Sequence, residues 1–410
     1  MAAGAEAPPR GASPSLLATA PHRLMFFIGA GNLLLAMAWW SLWLADARWQ
    51  LLGLRQPQPY AGWLHAFLMQ YQVLPSFIFG FLLTVFPRWM GLPDIERWRY
   101  VPIGLGMVGG QLATLAGAFG LGPGATVGYW MTLAGWLAGL ASLGPLLARE
   151  RGTTWHARAC FAALLLGLLG MLAWGAFLLG GDARLAFASI KLGTFGLLLP
   201  VYFTVAHRMF PFFAGNVVPG YAPWRPLWLL TMVFVLSLSH LMLELAHAYA
   251  WLWAADLPLL GLLALALWRW WPRGDAPGLL NVLFLGLAWL PLAVLLYAFQ
   301  SLAYLATGEF LLGRAPAHAL FVGFFGSVLV AMVTRVTQGH SGRALRMPAA
   351  AWLAFAGIQL VATVRVLADV APDGMAWQAA AAIGWVLVLA PWALRVGRIH
   401  LSPRVDGEPG

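Results

Sequence analysis

Residues 318–343 read HALFVGFFGSVLVAMVTRVTQGHSGR. One histidine opens a long apolar run, and a second lies between two arginines where that run ends. The run is long enough to cross a bilayer as a helix. Ionisable side chains near a bilayer are costly and usually face protein, water or a cofactor. The stretch therefore predicts a membrane span with candidate cofactor-binding residues at both ends: His318 at one, and Arg335, His340 and Arg343 at the other.

The whole chain has the composition of a membrane protein. Hydrophobic residues make up 61% of its 410 residues and charged residues only 9%, which excludes an ordinary soluble domain. Apolar runs of about 20 residues predict about twelve transmembrane helices, and hence an all-α polytopic membrane protein. The predicted spans are 23–45, 63–86, 100–119, 124–148, 156–180, 183–207, 224–248, 249–270, 278–306, 315–337, 348–370 and 376–398.

The positions of the arginines predict how the chain is oriented. Most of them fall on one side of the membrane, and the loops of the opposite side hold only Arg48, Arg55, Arg184 and Arg314. By the positive-inside rule both termini are cytoplasmic, and the protein lies in a bacterial cytoplasmic membrane. The net charge of +10 therefore reflects orientation, and no nucleic acid partner is expected.

Three regions follow along the chain. Residues 1–22 are rich in Ala, Pro, Gly and Ser and lack an apolar core, which predicts a disordered cytoplasmic arm. Residues 23–398 are the predicted twelve-helix transmembrane domain, and residues 399–410 a cytoplasmic tail.

Three even-numbered spans end alike on the predicted cytoplasmic side. The endings are FLLTVFPR at 81–88, YFTVAHR at 202–208 and VAMVTR at 330–335. Since they lie four helices apart, they suggest an internal repeat of three four-helix units. Alternatively, the positive-inside rule alone places an arginine at each ending. A pseudo-threefold bundle of twelve helices would look like the catalytic subunit of haem-copper oxidases.

Two histidines on different spans are predicted at similar depth. His65 stands just inside the second span and His318 just inside the tenth, and both spans run from the outside inward. Neutral imidazole is a common ligand of haem iron and copper, and two level imidazoles suit a bis-histidine haem. Alternatively, each is an interfacial residue hydrogen-bonded to a carbonyl group or water.

A polar face runs along the seventh span. His240, Glu244 and His247 share it, with the two histidines about 10 Å apart along the axis, too far to bind one metal ion together. Glu244 could accept a hydrogen bond from a metal-ligating histidine or handle protons, or the face ties the helix to its neighbours. Lys191 in the sixth span, the only lysine, either extends to the interface or pairs with Glu244 or a haem propionate.

Other polar residues near the span ends have simpler interpretations. Arg365 and Asp369, one turn apart in the eleventh span, are expected to pair with each other. His156, His207 and His340 are placed at the cytoplasmic interface and are expected to be solvated.

The chain resembles the NnrS family in three segments. The stretch 318–343 fits H-A-L-x-V-G, M-x-T-R-V and G-H-x-G-R, the stretch 80–91 fits G-F-L-L-T…P-x-W-x-G, and 208–213 fits R-x-x-P-F-F. The resemblance implies a multi-helix membrane protein that contains haem and copper and is linked to the nitric oxide response.

The chain departs from the family pattern at two positions. Where the family has W-H-x-H-E-M, residues 64–69 read LHAFLM, so Phe67 replaces a histidine. Phe284 stands where the family has another histidine, in the ninth span. The resemblance therefore implies a divergent member, in which a metal site that needs those histidines would be changed.

The residues and the resemblance together favour a haem-binding, and also copper-binding, membrane protein that handles nitric oxide or limits nitrosative stress. His65, His318, His240 and His247 are its candidate metal ligands. The expected partners are the lipid bilayer and a small gas such as nitric oxide, and the sequence identifies no redox partner. The alternatives are a proton-coupled secondary transporter and an assembly factor for a respiratory oxidase.

Overall fold

The computed structural model describes residues 11–150 and 154–408. Twelve helices in these residues are long and apolar enough to cross a membrane, so the predicted all-α polytopic fold is confirmed. In chain order, α1 to α12 are Pro21–Trp49, Ala61–Met90, Arg97–Ala118, Gly124–Arg149, Trp155–Leu178, Ala183–Val217, Leu227–Leu245, Tyr249–Trp270, Gly278–Thr307, Ala315–His340, Ala349–Leu367 and Gly374–His400. Helix α6 continues beyond its predicted end at 207, because a helix need not stop where the bilayer does.

Side chains and glycines mark several helix ends. The Asp182 carboxylate accepts a hydrogen bond from the Arg184 amide at 2.7 Å and so caps the start of α6. Asp373 caps α12 in the same way, accepting from the Ala376 amide at 3.2 Å. Gly308 ends α9 in the left-handed conformation with φ of 75°, which suits glycine because it has no Cβ.

The twelve helices form three similar units, α1–α4, α5–α8 and α9–α12, and these units are arranged in a closed ring. In each unit the first helix packs on the second and the third packs on the fourth. The fourth helix of each unit contacts the first helix of the next, and α12 closes the ring on α1. This order favours the internal repeat over a coincidence of arginine positions.

The second helix of each unit lies in the centre and contains a π-helical segment. Helices α2, α6 and α10 are the most buried of the twelve, and their π segments are Leu68–Val73, Leu192–Leu198 and Ala319–Gly326. A π segment shifts backbone hydrogen bonds, and neighbouring side chains can satisfy the carbonyl groups it frees. Trp136 Nε1 donates to the Tyr71 carbonyl at 2.9 Å, and Ser237 Oγ donates to the Phe195 carbonyl at 2.7 Å.

Polar contacts tie the central helices to their surroundings. Gln70 Nε2 donates to Thr194 Oγ1 at 3.2 Å and joins the π segments of α2 and α6. Gln72 Nε2 donates to the hydroxyls of Thr114 and Thr132 at 3.0 and 2.9 Å and joins α2 to α3 and α4. Such bonds hold helices together where lipid supplies no hydrophobic drive.

The start of α1 and the end of α12 meet at one end of the bundle, which we call the termini face; the opposite end is the far face. Arg23 Nη1 donates to the carbonyl groups of His400 and Ser402 at 3.2 and 2.9 Å. Within the predicted arm, Pro14–Thr19 form a 3₁₀ helix that leads into α1, while residues 1–10 lie outside the described residues. The cytoplasmic location of the termini face stays a prediction.

Candidate functional site

His65 and His318 both lie near the far face, on the central helices α2 and α10. The two imidazoles are close enough to interact electrostatically. His318 Nδ1 donates to the Arg314 carbonyl at 3.0 Å, which leaves Nε2 with a free lone pair. His65 Nδ1 is buried and has no hydrogen-bond partner among the described residues. Each imidazole therefore has a ring nitrogen available to a ligand.

Aromatic and cationic side chains surround this histidine pair. The Trp40 ring stacks on His65 with centroids 4.4 Å apart and planes 9° apart. Because an imidazole lone pair lies in the ring plane, this stacking orients the ring without covering its nitrogen atoms. Arg314 and Arg365 act electrostatically on both imidazoles. Arg365 also binds Asp369 at 2.7 Å, as predicted, but its closeness to the histidines was not foreseen.

Three other candidate residues, Arg335, His340 and Arg343, lie at the termini end of α10. His318 and His340 are 22 residues apart, which corresponds to about 33 Å of helix. The Arg335 guanidinium lies 3.8 Å from the centroid of the Phe213 ring. These three residues therefore cannot belong to one compact site with His65 and His318.

Lys191, Glu244, His240 and Asp256 form a buried network between α6, α7 and α8. Lys191 Nζ lies 2.7 Å from Glu244 Oε1, so it pairs with that carboxylate and does not extend to the interface. His240 Nδ1 lies 2.6 Å from Asp256 Oδ1, and His240 Nε2 lies 3.6 Å from Glu244 Oε1. The side chains of His240 and Asp256 are 0% and 1% exposed. The network thus holds one carboxylate on each side of the His240 imidazole.

The internal repeat relates this network to the histidine pair. Lys191 and His318 each stand immediately before a π segment, and His65 stands three residues before one. Lys191 and His318 also each stand 17 residues before an arginine, Arg208 and Arg335 respectively. The second unit therefore has a lysine at the position where the third has histidine.

Sequence reasoning missed the part played by Asp256. It is the closest polar partner of His240. The available signal was an acidic residue inside a predicted membrane span, which is expensive without a partner.

His240 and His247 do not converge. His247 is exposed, and its Nδ1 lies 2.6 Å from the Tyr249 hydroxyl, whereas His240 faces Asp256. Within residues 11–150 and 154–408, no three His, Cys, Asp or Glu side chains are arranged to hold a metal ion. His240 and His247 therefore do not share a copper ion.

Aromatic packing occupies the two positions where the family pattern has histidine. The Phe67 ring stacks on Trp174 with centroids 4.6 Å apart. Phe284 is fully buried, and its ring centroid lies 5.6 Å from that of Phe210. Both phenylalanines contribute to the apolar core.

The expectation that His156 and His207 are solvated is wrong. Both are buried, 6% and 0% exposed, and His156 Nε2 lies 2.9 Å from His207 Nδ1. The other ring nitrogen of His207, Nε2, donates to the Pro226 carbonyl at 3.1 Å. Trp270 of α8 and the loop that ends at Pro226 contact His207, and a span prediction does not include such contacts.

His340 is likewise partly buried and belongs to a group of three histidines at the termini face. Its ring centroid lies 4.2 Å from that of His22, which lies 6.0 Å from that of His400. His22 Nδ1 is buried without a hydrogen-bond partner among the described residues. Sequence reasoning missed His22 and His400 because only closure of the ring brings α1, α10 and α12 together.

Comparison with known proteins gives one match to a protein family. The family model described as NnrS protein matches residues 16–404, nearly the whole chain. A comparison with curated proteins finds no match.

Proposed function

The chain belongs to the NnrS family, and we propose that it acts in the nitric oxide response by binding haem through His65 and His318. Family membership supports a membrane protein of the nitric oxide response in general. The finer part of the proposal, the cofactor and its ligands, rests on the residues near the far face.

One observation carries the proposal: two imidazoles from separate central helices lie within electrostatic range of each other, and each has an available ring nitrogen. The hydrogen bond from His318 Nδ1 to the Arg314 carbonyl fixes the tautomer in which Nε2 can bind iron. The unsatisfied Nδ1 of His65 is a buried polar atom that needs a partner. Coordination to iron would use the lone pair of His318 Nε2 and give His65 Nδ1 a partner, so these residues fit a haem.

The surrounding residues would support such a cofactor. Arg314 and Arg365 lie near both histidines and could neutralise the haem carboxylates, as guanidinium groups do well. Trp40 holds the His65 ring in one orientation. Bound haem would supply an iron centre that could take up a small gas such as nitric oxide in place of one of the two imidazoles.

The test is an absorption spectrum of the purified protein, oxidised and reduced. We expect a Soret band in the wild-type protein and a shift toward a high-spin form, or lower haem content, in His65→Ala and His318→Ala. His247→Ala is the matched control, because this exposed histidine bonds only to the neighbouring Tyr249 hydroxyl. A His318→Ala protein with an unchanged haem spectrum would exclude the assignment.

The buried network of Lys191, Glu244, His240 and Asp256 favours a second candidate function, proton-coupled transport. Two carboxylates next to an imidazole inside a membrane are typical of proton pathways. A protein without a Soret band that loses proton-coupled solute uptake in Glu244→Gln would favour this alternative over haem binding.

A further inference from the structure

A polar cavity opens at the termini face between the loop after α10 and helix α12. Its volume is about 730 Å³. Three arginines line it: Arg343 and Arg346 from the loop, and Arg395 from the last turns of α12. Pockets of roughly 300–1,000 Å³ hold small-molecule ligands, so this cavity is large enough for one.

These three arginines lack the partners that other arginines of the termini face have. Arg208 lies over the Trp89 ring at 4.4 Å, and Arg269 lies over the Trp268 ring at 4.8 Å. By contrast, among the described residues none of the three cavity arginines lies over an aromatic ring or forms an ion pair with a carboxylate. The cavity therefore concentrates positive charge that the described protein does not neutralise.

Arg343 shows this imbalance most clearly. Its Nη1 is buried and has no hydrogen-bond partner among the described residues. Burial, and next the nearby guanidinium of Arg395, lower the pKa of Arg343. Asp406 lies close to Gly342, but its carboxylate binds Arg404 through two oxygens at 2.9 and 2.5 Å. An anion between Arg343 and Arg395 would relieve both the missing hydrogen bond and the repulsion.

The loop that carries two of the arginines is fixed in place. Gln338 Nε2 donates to the carbonyl groups of Ala344 and Arg346 at 2.5 and 2.7 Å. The Arg343 amide donates back to the Gln338 carbonyl at 3.0 Å. Because the backbone is held from both sides, a ligand would not have to order the loop, which lowers the cost of binding.

We propose that this cavity binds a phosphate group, carried either by an anionic phospholipid headgroup or by a soluble phosphate compound. Guanidinium groups bind phosphate oxygens in a bidentate manner, and three of them here face one space. The cavity lies at the opposite end of α10 from His318, so the proposal does not depend on haem binding. The two sources share their chemistry and differ in whether acyl chains accompany the phosphate.

The experiment measures binding to the full-length protein in a neutral detergent by native mass spectrometry and thermal shift. The probes are dioctanoyl phosphatidylglycerol and inorganic pyrophosphate, with dioctanoyl phosphatidylcholine as the zwitterionic control. We expect one of the two anionic probes to bind and to weaken as salt is raised. Binding of the lipid alone identifies a headgroup site, whereas binding of pyrophosphate identifies a site for soluble phosphate compounds.

Arg343→Gln and Arg395→Gln test where the anion binds. Each should weaken binding of the active probe at least about tenfold, because each removes a charge-assisted hydrogen bond. Arg398→Gln is the matched control: it removes an exposed arginine from the same turn of α12, outside the cavity. Two cavity variants guard against a folding defect in either one. The proposal is overturned if neither anionic probe binds, or if Arg398→Gln weakens binding as much as the cavity variants.

Discussion

The buried pair of His240 and Asp256 offers a sharp test of how the network between α6, α7 and α8 stabilises the protein. The perturbation is Asp256→Leu. It removes the carboxylate that lies 2.6 Å from His240 Nδ1 and puts an apolar side chain of similar size in its place. Both side chains are buried, so water cannot replace the lost partner. The free energy of unfolding should fall.

The magnitude follows from the contacts of His240. A buried neutral donor without an acceptor costs about 1–3 kcal/mol, and breaking a buried charged pair costs about 3–5 kcal/mol. We expect a loss of about 3 kcal/mol, where the two ranges meet, because Glu244 still lies 3.6 Å from His240 Nε2. Replacing both partners, in His240→Leu with Asp256→Leu, should restore most of the loss, because no unsatisfied polar atom then remains from the pair.

The assay is denaturant titration of the purified protein in mild detergent, followed by tryptophan fluorescence. Ser239→Ala is the control on the same helix: this half-buried serine bonds only to the Val235 carbonyl of its own helix, so its effect should stay within about 0.5 kcal/mol. A double variant no more stable than Asp256→Leu alone would refute the reasoning, because the two side chains would then not act as a pair.

Two further predictions concern orientation and helix packing. Alkaline phosphatase should be inactive when fused after Arg343 and active when fused after Gly308, because the arginine asymmetry places these two loops on opposite sides of the membrane. The reverse pattern would invert the topology. Gly106→Ala should lower the free energy of unfolding by about 1–3 kcal/mol, since its Cβ would lie 2.7 Å from Gly135 Cα. Gly31→Ala, whose Cβ would meet no atom within 4 Å, should have no such effect, as measured by the same denaturant titration.

Properties that depend on local sequence were predictable. The twelve spans follow from hydropathy because each helix must be apolar along its own length. Three similar helix endings suggested the repeat that the ring arrangement supports. The spacing of His240 and Glu244 placed both on one helix face, and Arg365 pairs with Asp369 as expected from one turn of separation.

Properties that depend on contacts between distant helices were not predictable from one sequence. His22 and His400 meet only because α12 closes on α1, and hydropathy says nothing about which helices adjoin. The pairing of Asp256 with His240 depends on how α7 and α8 turn toward each other. The burial of His207 depends on His156 of α5 and Trp270 of α8, which come from other helices.

The π segments have a consequence for how mutations along the central helices should be interpreted. Each segment contains extra backbone, so the two halves of α2, α6 and α10 differ in angular phase, and one helical wheel drawn through the whole span misplaces one half. Removing a single residue from Leu192–Leu198 would turn the preceding half by about 100° and carry Lys191 away from Glu244. At these three places the number of residues in the chain is itself a structural property, so a one-residue deletion can disrupt a site whose side chains are all still present.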